Sequence, residues 1–274
     1  MAPKKLLVNI FTHNRPQYFA NTLMSLYAQS FRDFDILIVD DASTIPVDSI
    51  DFIRKVLFRF KQEGIGVEVV RSTVKMGIAT NRSIILPELK KYKYVFDLND
   101  DHYLDVDCIA NMMDMFDNED VCVVGSATPN FSDPNNKVFV NIPDKFELPC
   151  FSVKDDALKI HRYCDHIFMK PETKDPIIMG LVVDHASQFI YMPEYLNELP
   201  KDYSVLGYTE ETDLCLRCKF NSGKKIIFCS HAVNWHMQAP VGGVRDEDNF
   251  KNWEALKQSD WDLFLSNWEG RLKK

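Results

Sequence analysis

The first 125 residues alternate between short, nearly continuous apolar runs and segments of helical apolar spacing, joined by brief polar links. The runs are Lys5 to Phe11, Phe34 to Val39, Val67 to Arg71 and Tyr92 to Leu98, with Val121 to Gly125 following. Between them lie Gln17 to Gln29, Ile50 to Glu63 and Ile78 to Lys90, and then Ile109 to Phe116. In the second of these, Ile53, Val56, Leu57 and Phe60 share one face and basic residues the other. Apolar runs of this kind are strands buried on both faces. Strands alternating with helices through short links form a mainly parallel sheet with helices on both faces. The chain therefore reads as α/β, with a Rossmann-like central sheet.

Ligand crevices in such sheets lie at the carboxyl ends of the strands, so the turns there carry the chemistry. The run Tyr94-Val95-Phe96-Asp97-Leu98 ends in Asn99-Asp100-Asp101-His102. Carboxylates delivered by a buried strand suit a divalent cation such as Mn²⁺ or Mg²⁺, which takes oxygen ligands together with substrate phosphates. The same acids also suit a turn and the N-cap of a helix beginning near Cys108, and Asp105 and Asp107 read that way. Alternation along the strand turns Asp97 to the other face.

Charge and cysteines narrow the class. A formal net charge of −8 argues against a nucleic-acid backbone as main partner. Seven scattered cysteines, an odd count without framework spacing, indicate reduced thiols and a cytoplasmic setting. Cys215 and Cys218 read as packing residues within a helix rather than zinc ligands. The apolar run at the N-terminus is too short for a signal segment or a membrane span.

Prolines break the pattern between Thr128 and Ile177, which reads as a functional loop region, with disorder as the alternative. Short strand-like pieces such as Val138 to Asn141 occur within it. Gly180 to Tyr191 and Pro193 to Leu199 restore order, and Glu210 to Asn221 is a helix closed by Ser222-Gly223. Lys225 to Cys229 and His231 to His236 are extended. The expected organisation is one domain over residues 1–245, regular over about 1–125 and less so over about 126–245. A tail over residues 246–274 carries Phe250, Trp253, Leu256, Trp261, Phe264, Trp268 and Leu272 as one or two amphipathic helices. Packing against the domain is its expected use, with a homo-oligomer contact or an interfacial lipid contact as the alternatives.

Four strand-end motifs now line up: Thr12-His13-Asn14-Arg15-Pro16, Asp40-Asp41-Ala42-Ser43, Asn99-Asp100-Asp101, and Gly207-Tyr208-Thr209-Glu210-Glu211-Thr212-Asp213-Leu214 running on to Arg217. In order and separation they resemble the family 2 nucleotide-sugar glycosyltransferases of GT-A fold, over residues 5–236. The resemblance implies a metal-dependent, inverting transfer of a sugar from a nucleoside diphosphate, UDP favoured, to a hydroxyl on a carbohydrate or glycoconjugate acceptor. It makes about 1–125 the nucleotide-binding half and about 126–245, with the loop region Thr128 to Ile177, the acceptor-side half, and it places Thr12, Asn14, Arg15, Asp40, Asn81, Asn99 and Asp100 at the nucleotide. In it Asp101 and His236 hold the metal, and His231 competes with His236. Asp40 would accept from uracil N3–H, a group thymine shares, while an Asx-turn is its structural alternative.

Glu211 falls where the family keeps its catalytic acid, as the base for the acceptor hydroxyl. Glu210 is its neighbour, and both carboxylates also suit a helix dipole. Asp184 and His185 come next as candidates for the base. Asp213 and Arg217 have the spacing of a structural pair. Two departures stand out: Asn99 replaces the first acid of the metal motif, and Thr80-Asn81-Arg82 stands where the family has Arg-Asn. Either Arg82 substitutes there or that contact is missing. Two other readings compete. One is a catalytically silent nucleotide-sugar-binding domain. The other is a sugar-phosphate nucleotidyltransferase, which needs a glycine-rich first turn that this chain lacks.

Overall fold

The computed structural model describes residues 5–128, 131, 151–154, 157–160, 177–178, 188–245 and 251–272. The expected pieces at Val138 to Asn141 and Gly180 to Ser187, with Asp184, His185 and Phe250, lie outside them. So does most of the region assigned to the acceptor side.

Strand β1 (Leu6–Thr12) is buried along its whole length and leads into α1 (Pro16–Tyr27), where proline at the first helical position fits the free N-terminal turn. Then follow β2 (Phe34–Asp40), α2 (Asp51–Gln62), β3 (Val67–Arg71), α3 (Ile78–Leu89), β4 (Tyr94–Asn99), the short β5 (His102–Leu104), α4 (Cys108–Asp114) and β6 (Val121–Ala127). Three short antiparallel strands, β7 (Phe151–Lys154), β8 (Ala157–Ile160) and β9 (Ile177–Ile178), form a separate small sheet. The chain returns through β10 (Phe189–Tyr191), α5 (Glu210–Ser222), β11 (Lys225–His236) and α6 (Trp253–Leu272). The two extended pieces expected near the end are thus one strand, with a register shift between Cys229 and Val233.

The main sheet has the order β3-β2-β1-β4-β10-β6-β11-β5. Pairing is parallel from β3 through β4 and between β6 and β11, and antiparallel at β10 and β5. Alternate residues of each strand feed two cores. Leu6, Val8 and Ile10 pack with α1, α2 and α4, whereas Leu7, Phe11 and Val95 pack with α3 and α5. Helices therefore cover both faces. The order places β1 beside β4, with β2 and β3 on its other flank. That is the kind of switch point where open α/β sheets form their crevice.

The second core contains a charged strut. Arg82 of α3 is 3% exposed and lies between Asp97 of β4, at 2.9 Å, and Glu210 of α5, its hydrogen-bond partner. Asn9 of β1 donates to the same Asp97 at 3.0 Å. Burial opposes the Arg82 charge, but Asp97 and Glu210 outweigh it and hold the guanidinium protonated. Burial also pushes both carboxyls up, Glu210 well above its ordinary range, as expected where two acids share one cation. The expectation that Arg82 substitutes in a nucleotide contact is corrected: its side chain is enclosed in the core.

The described part of the tail carries α6 over Trp253–Leu272. Its buried residues Asp260, Phe264, Trp268 and Leu272 recur every fourth position, on one face. Trp268 stacks on Phe220 of α5, ring centroids 5.4 Å apart. Packing against the domain is thus what this face does. No described helix is long and apolar enough to cross a membrane.

Removing one partner of a buried ion group leaves the others uncompensated, which costs about 3–5 kcal/mol. Arg82→Met is expected to lose that much stability in urea unfolding, because Asp97 and Glu210 remain buried. A loss below about 1 kcal/mol, the range of exposed pairs, would remove the strut from the fold's supports.

Candidate active site

The carboxyl ends of β1, β2 and β4 open into a cleft enclosing about 860 Å³ of empty space, part of it open to solvent. Of the residues assigned from sequence, Thr12, Arg15, Asn81, Asn99, Asp100, Asp101, Glu211 and His236 line it. Asn14 and Asp40 do not.

Both exceptions have a physical reason. Asp40 is 1% exposed, and its two oxygens accept the backbone N–H of Ser43 at 2.8 Å and of Val47 at 3.1 Å. It holds its own turn, the Asx-type role weighed for it. Asp41 lies at the cleft instead, its carboxylate accepting the N–H groups of Met76 and Gly77, each at 2.9 Å. Asn14 is exposed, in left-handed backbone at φ +53°, and its Oδ1 accepts from Thr44 N–H at 2.8 Å. It ties the first turn to the second.

Asp100 and Asp101 are 3% and 2% exposed at the end of β4. Thr12 donates to Asp100 at 2.8 Å and Arg15 at 3.1 Å. Burial nevertheless pushes the Asp100 carboxyl up, to about 6, with its neighbour Asp101 adding to the push. Burial acts on Asp101 too, but the hydrogen bond with His236 and the neighbouring Arg15 guanidinium outweigh it and hold Asp101 well below the usual carboxylate range. Arg15 is placed by Val241, whose carbonyl accepts from Nε at 2.9 Å.

Asp101, His102 and His236 form the group of metal-ligating side chains found among the described residues, their ligand atoms all within 4.8 Å of one another. His236 Nε2 lies 3.4 Å from Asp101, and His102 Nε2 lies 3.9 Å from it. Opposed on β5 and β11, the two imidazoles stack with centroids 4.7 Å apart.

The surroundings of His102 test whether it fits a metal. Asn234 commits its NH₂ to Ser126 and Thr128, which leaves its Oδ1 as acceptor for His102 Nδ1 at 2.6 Å. That assigns the proton to Nδ1 and leaves the Nε2 lone pair toward Asp101, the arrangement that orients a ligating histidine. Burial holds the ring neutral, its pKa lowered to about 3, and a ligand must be neutral. The donor set fits a divalent ion; two imidazoles beside one carboxylate suit a transition ion better than Mg²⁺. His231 is exposed and lies outside this cluster.

Cations approach the same cleft. Lys75 and Arg245 line it with Arg15. The Lys75 ammonium donates to the Gly243 carbonyl at 2.7 Å, Arg245 donates to Ala239, and Gly243 N–H donates to the His13 carbonyl at 2.8 Å. Residues 239–245 thus tie back onto the first turn. Gly242 and Gly243 are required at this contact, since a Cβ on either would meet Arg15 or the backbone near it within 3 Å.

Glu211 enters from the first turn of α5, where carboxylates are favoured by the helix dipole. Glu210 turns into the core toward Arg82, so of the two only Glu211 lines the cleft. Asp213 pairs with Arg217, as their spacing implied. Sequence reasoning gave no role to His13, Lys75, His102 or Arg245. For His102 a signal was present, since it directly follows the acidic pair; Lys75 and Arg245 lie outside any motif.

The glycosyl transferase family 2 pattern matches residues 8–171. No curated protein matches the chain. Among solved structures, S. aureus TarS 1-349 in complex with UDP-GlcNAc is 15% identical with a TM-score of 0.60, covering 92% of this chain and 65% of that one. A mannosyltransferase of Pyrobaculum calidifontis in complex with GDP-Man and Mn²⁺ is 14% identical, TM-score 0.56, over 95% of this chain and 63% of that one. GalNAc-T7 with UDP, GalNAc and Mn²⁺ is 14% identical, TM-score 0.58, over 95% of this chain and 50% of that one. The chain thus spans less than two thirds of the length of these structures, and the likeness is one of fold. The nucleotidyltransferase alternative falls away. With its motifs, its strand order and the match over residues 8–171 in agreement, this chain belongs to glycosyl transferase family 2 and has the GT-A fold.

Proposed function

We propose that this protein transfers a sugar, with inversion, from a nucleoside diphosphate to a hydroxyl of a carbohydrate or glycoconjugate. The observation that carries the reading is the meeting of Asp101 and His236, three cationic side chains and Glu211 in one cleft, with buried His102 completing the cluster beside them. A diphosphate leaving group needs positive charge, and Arg15, Lys75 and Arg245 supply it as fixed donors. Asp101, His102 and His236 are the residues to hold a divalent ion, favoured as Mn²⁺. When bound, such an ion neutralises the departing diphosphate and orients it.

Asn99, Thr12 and Asn81 lie where polar contacts to the nucleoside are expected, with Phe11 and Ile78 as apolar wall. The carboxylate of Glu211 takes the proton of the acceptor hydroxyl as that oxygen attacks the anomeric carbon. Val205 and Leu206 stand beside it. UDP is favoured as the donor nucleotide because TarS and GalNAc-T7 are described with it. The buried free thiols at Cys108, Cys122, Cys215, Cys218 and Cys229 fit a cytoplasmic setting.

The following outcomes check this reading. UDP is expected to bind more tightly than GDP in calorimetry with Mn²⁺ present; equal affinities would remove the uridine preference. Asp101→Asn is expected to abolish metal-dependent UDP binding, and undiminished binding at limiting Mn²⁺ would take Asp101 out of the metal site. Glu211→Gln is expected to lose turnover by about 10²–10⁴-fold while donor affinity stays nearly unchanged. Glu210→Gln is expected to cost turnover much less, since its side chain turns into the core toward Arg82 and does not line the cleft. A wild-type chain that binds donor yet shows no turnover with any acceptor would support the catalytically silent reading.

A further inference from the structure

We propose that Asp260 of α6 is a positioning residue, whose carboxylate fixes the loop 204–208 that walls the cleft and leads into Glu211. The inference rests on the glycosyltransferase reading for its catalytic consequence, and on geometry alone for the hold on the loop.

The inward row of α6 is Asp260, Phe264, Trp268 and Leu272. Three of these positions are apolar, as a docked helix requires. The fourth is a carboxylate with 0% exposure. A buried carboxylate is tolerated where its oxygens are hydrogen-bonded. Here Ser204 N–H donates at 2.6 Å, Ser204 Oγ–H at 2.8 Å and Tyr208 N–H at 2.8 Å. Every one of these donors belongs to a single five-residue stretch far away in sequence. About one turn earlier on the same helix, the Lys257 ammonium lies over the Tyr208 ring, 5.2 Å from its centroid.

That stretch is part of the active-site wall. Val205 and Leu206 line the cleft. Val205 backbone also stands so close to Gly77 that a Cβ there would meet it at 2.7 Å. The loop leaves Tyr208 through Thr209, held at φ +70°, and enters α5 at Glu210 and Glu211. A threonine in left-handed backbone persists only where its surroundings over-determine it. Asp260 supplies that restraint one residue before it, at Tyr208 N–H. Docking of α6 needs no carboxylate, because Phe264, Trp268 and Leu272 already provide the apolar contact. The carboxylate therefore serves the loop.

The test uses the full chain with three substitutions: Asp260→Ala, Ser204→Ala, and Trp268→Ala as a docking control. Each is measured for amide hydrogen exchange over residues 204–211, for UDP affinity with Mn²⁺ by calorimetry, and for turnover per folded molecule at saturating donor. Asp260→Ala is expected to speed exchange at Ser204 and Tyr208 about tenfold or more. It should lower turnover about 10–100-fold, the cost of a misplaced catalytic group, with UDP affinity nearly unchanged. Ser204→Ala, which keeps the Tyr208 bond, should show a smaller loss of the same kind. Trp268→Ala should lower the melting temperature without altering loop exchange or turnover. Should Asp260→Ala fail to fold, Ser204→Ala carries the test on the same readouts. Loop exchange unchanged in Asp260→Ala, or in Ser204→Ala where that variant carries the test, overturns the proposal. So does a turnover loss in Trp268→Ala equal to that in Asp260→Ala. A wild-type chain without transfer activity would instead overturn the glycosyltransferase reading, while the exchange measurement still decides whether Asp260 holds the loop.

Discussion

The buried contact of Arg82 with Asp97 and Glu210 is what the rest of the site hangs from. Asp97 belongs to the strand that ends in Asp100 and Asp101, and Glu210 is the residue before Glu211. One guanidinium, enclosed in the core, therefore ties the strand that delivers the candidate metal ligand to the helix that delivers the candidate base. A polar group so deep costs desolvation, and it is tolerated when its charges are paired. What it supplies is a fixed relation between two parts of the chain more than a hundred residues apart.

The cleft follows the same rule at its surface. Two adjacent carboxylates at a strand end repel each other, and burial raises the cost of charging both. The chain answers with Thr12 and Arg15 on Asp100, and with two imidazoles and Arg15 on Asp101. The result is unequal: Asp100 is pushed toward its protonated form while Asp101 stays charged. Its place beside His102 and His236 makes Asp101 the candidate ligand, while Asp100 anchors Arg15 beside it.

Much of the fold was legible because the signals were local. Unbroken apolar runs marked β1, β2 and β4, and helical spacing marked α1 and α2, to within a few residues of their ends. The turns that follow those strands carried most of the cleft. What could not be read was the destination of each side chain. Asp40 and Asp41 are equivalent in sequence, yet one closes its own turn and the other reaches the cleft, a difference set by where the backbone at Ala42 turns left-handed. Arg82 looks like a ligand residue beside Asn81; only the packing of α3 against β4 and α5 sends it inward. Lys75 and Arg245 come from segments with no periodicity, so their arrival depended on tertiary contacts alone.

The C-terminal helix shows how far such contacts extend the site. Read as a sequence, residues 253–272 offer aromatic residues for a face, and Asp260 passes as one more charge on a charged segment. A core position normally excludes an acid, and an acid that occupies one without exposed surface must be answered by donors from elsewhere. The donors are backbone N–H groups of the loop before α5 and the Ser204 hydroxyl. The same logic applies to Arg82. In each case a polar side chain that violates the local pattern is the one that joins distant segments, because only a directional bond can fix a loop at a set distance from a helix. Apolar packing brings α6 and α5 together; it is the buried charges that determine which backbone the cleft receives.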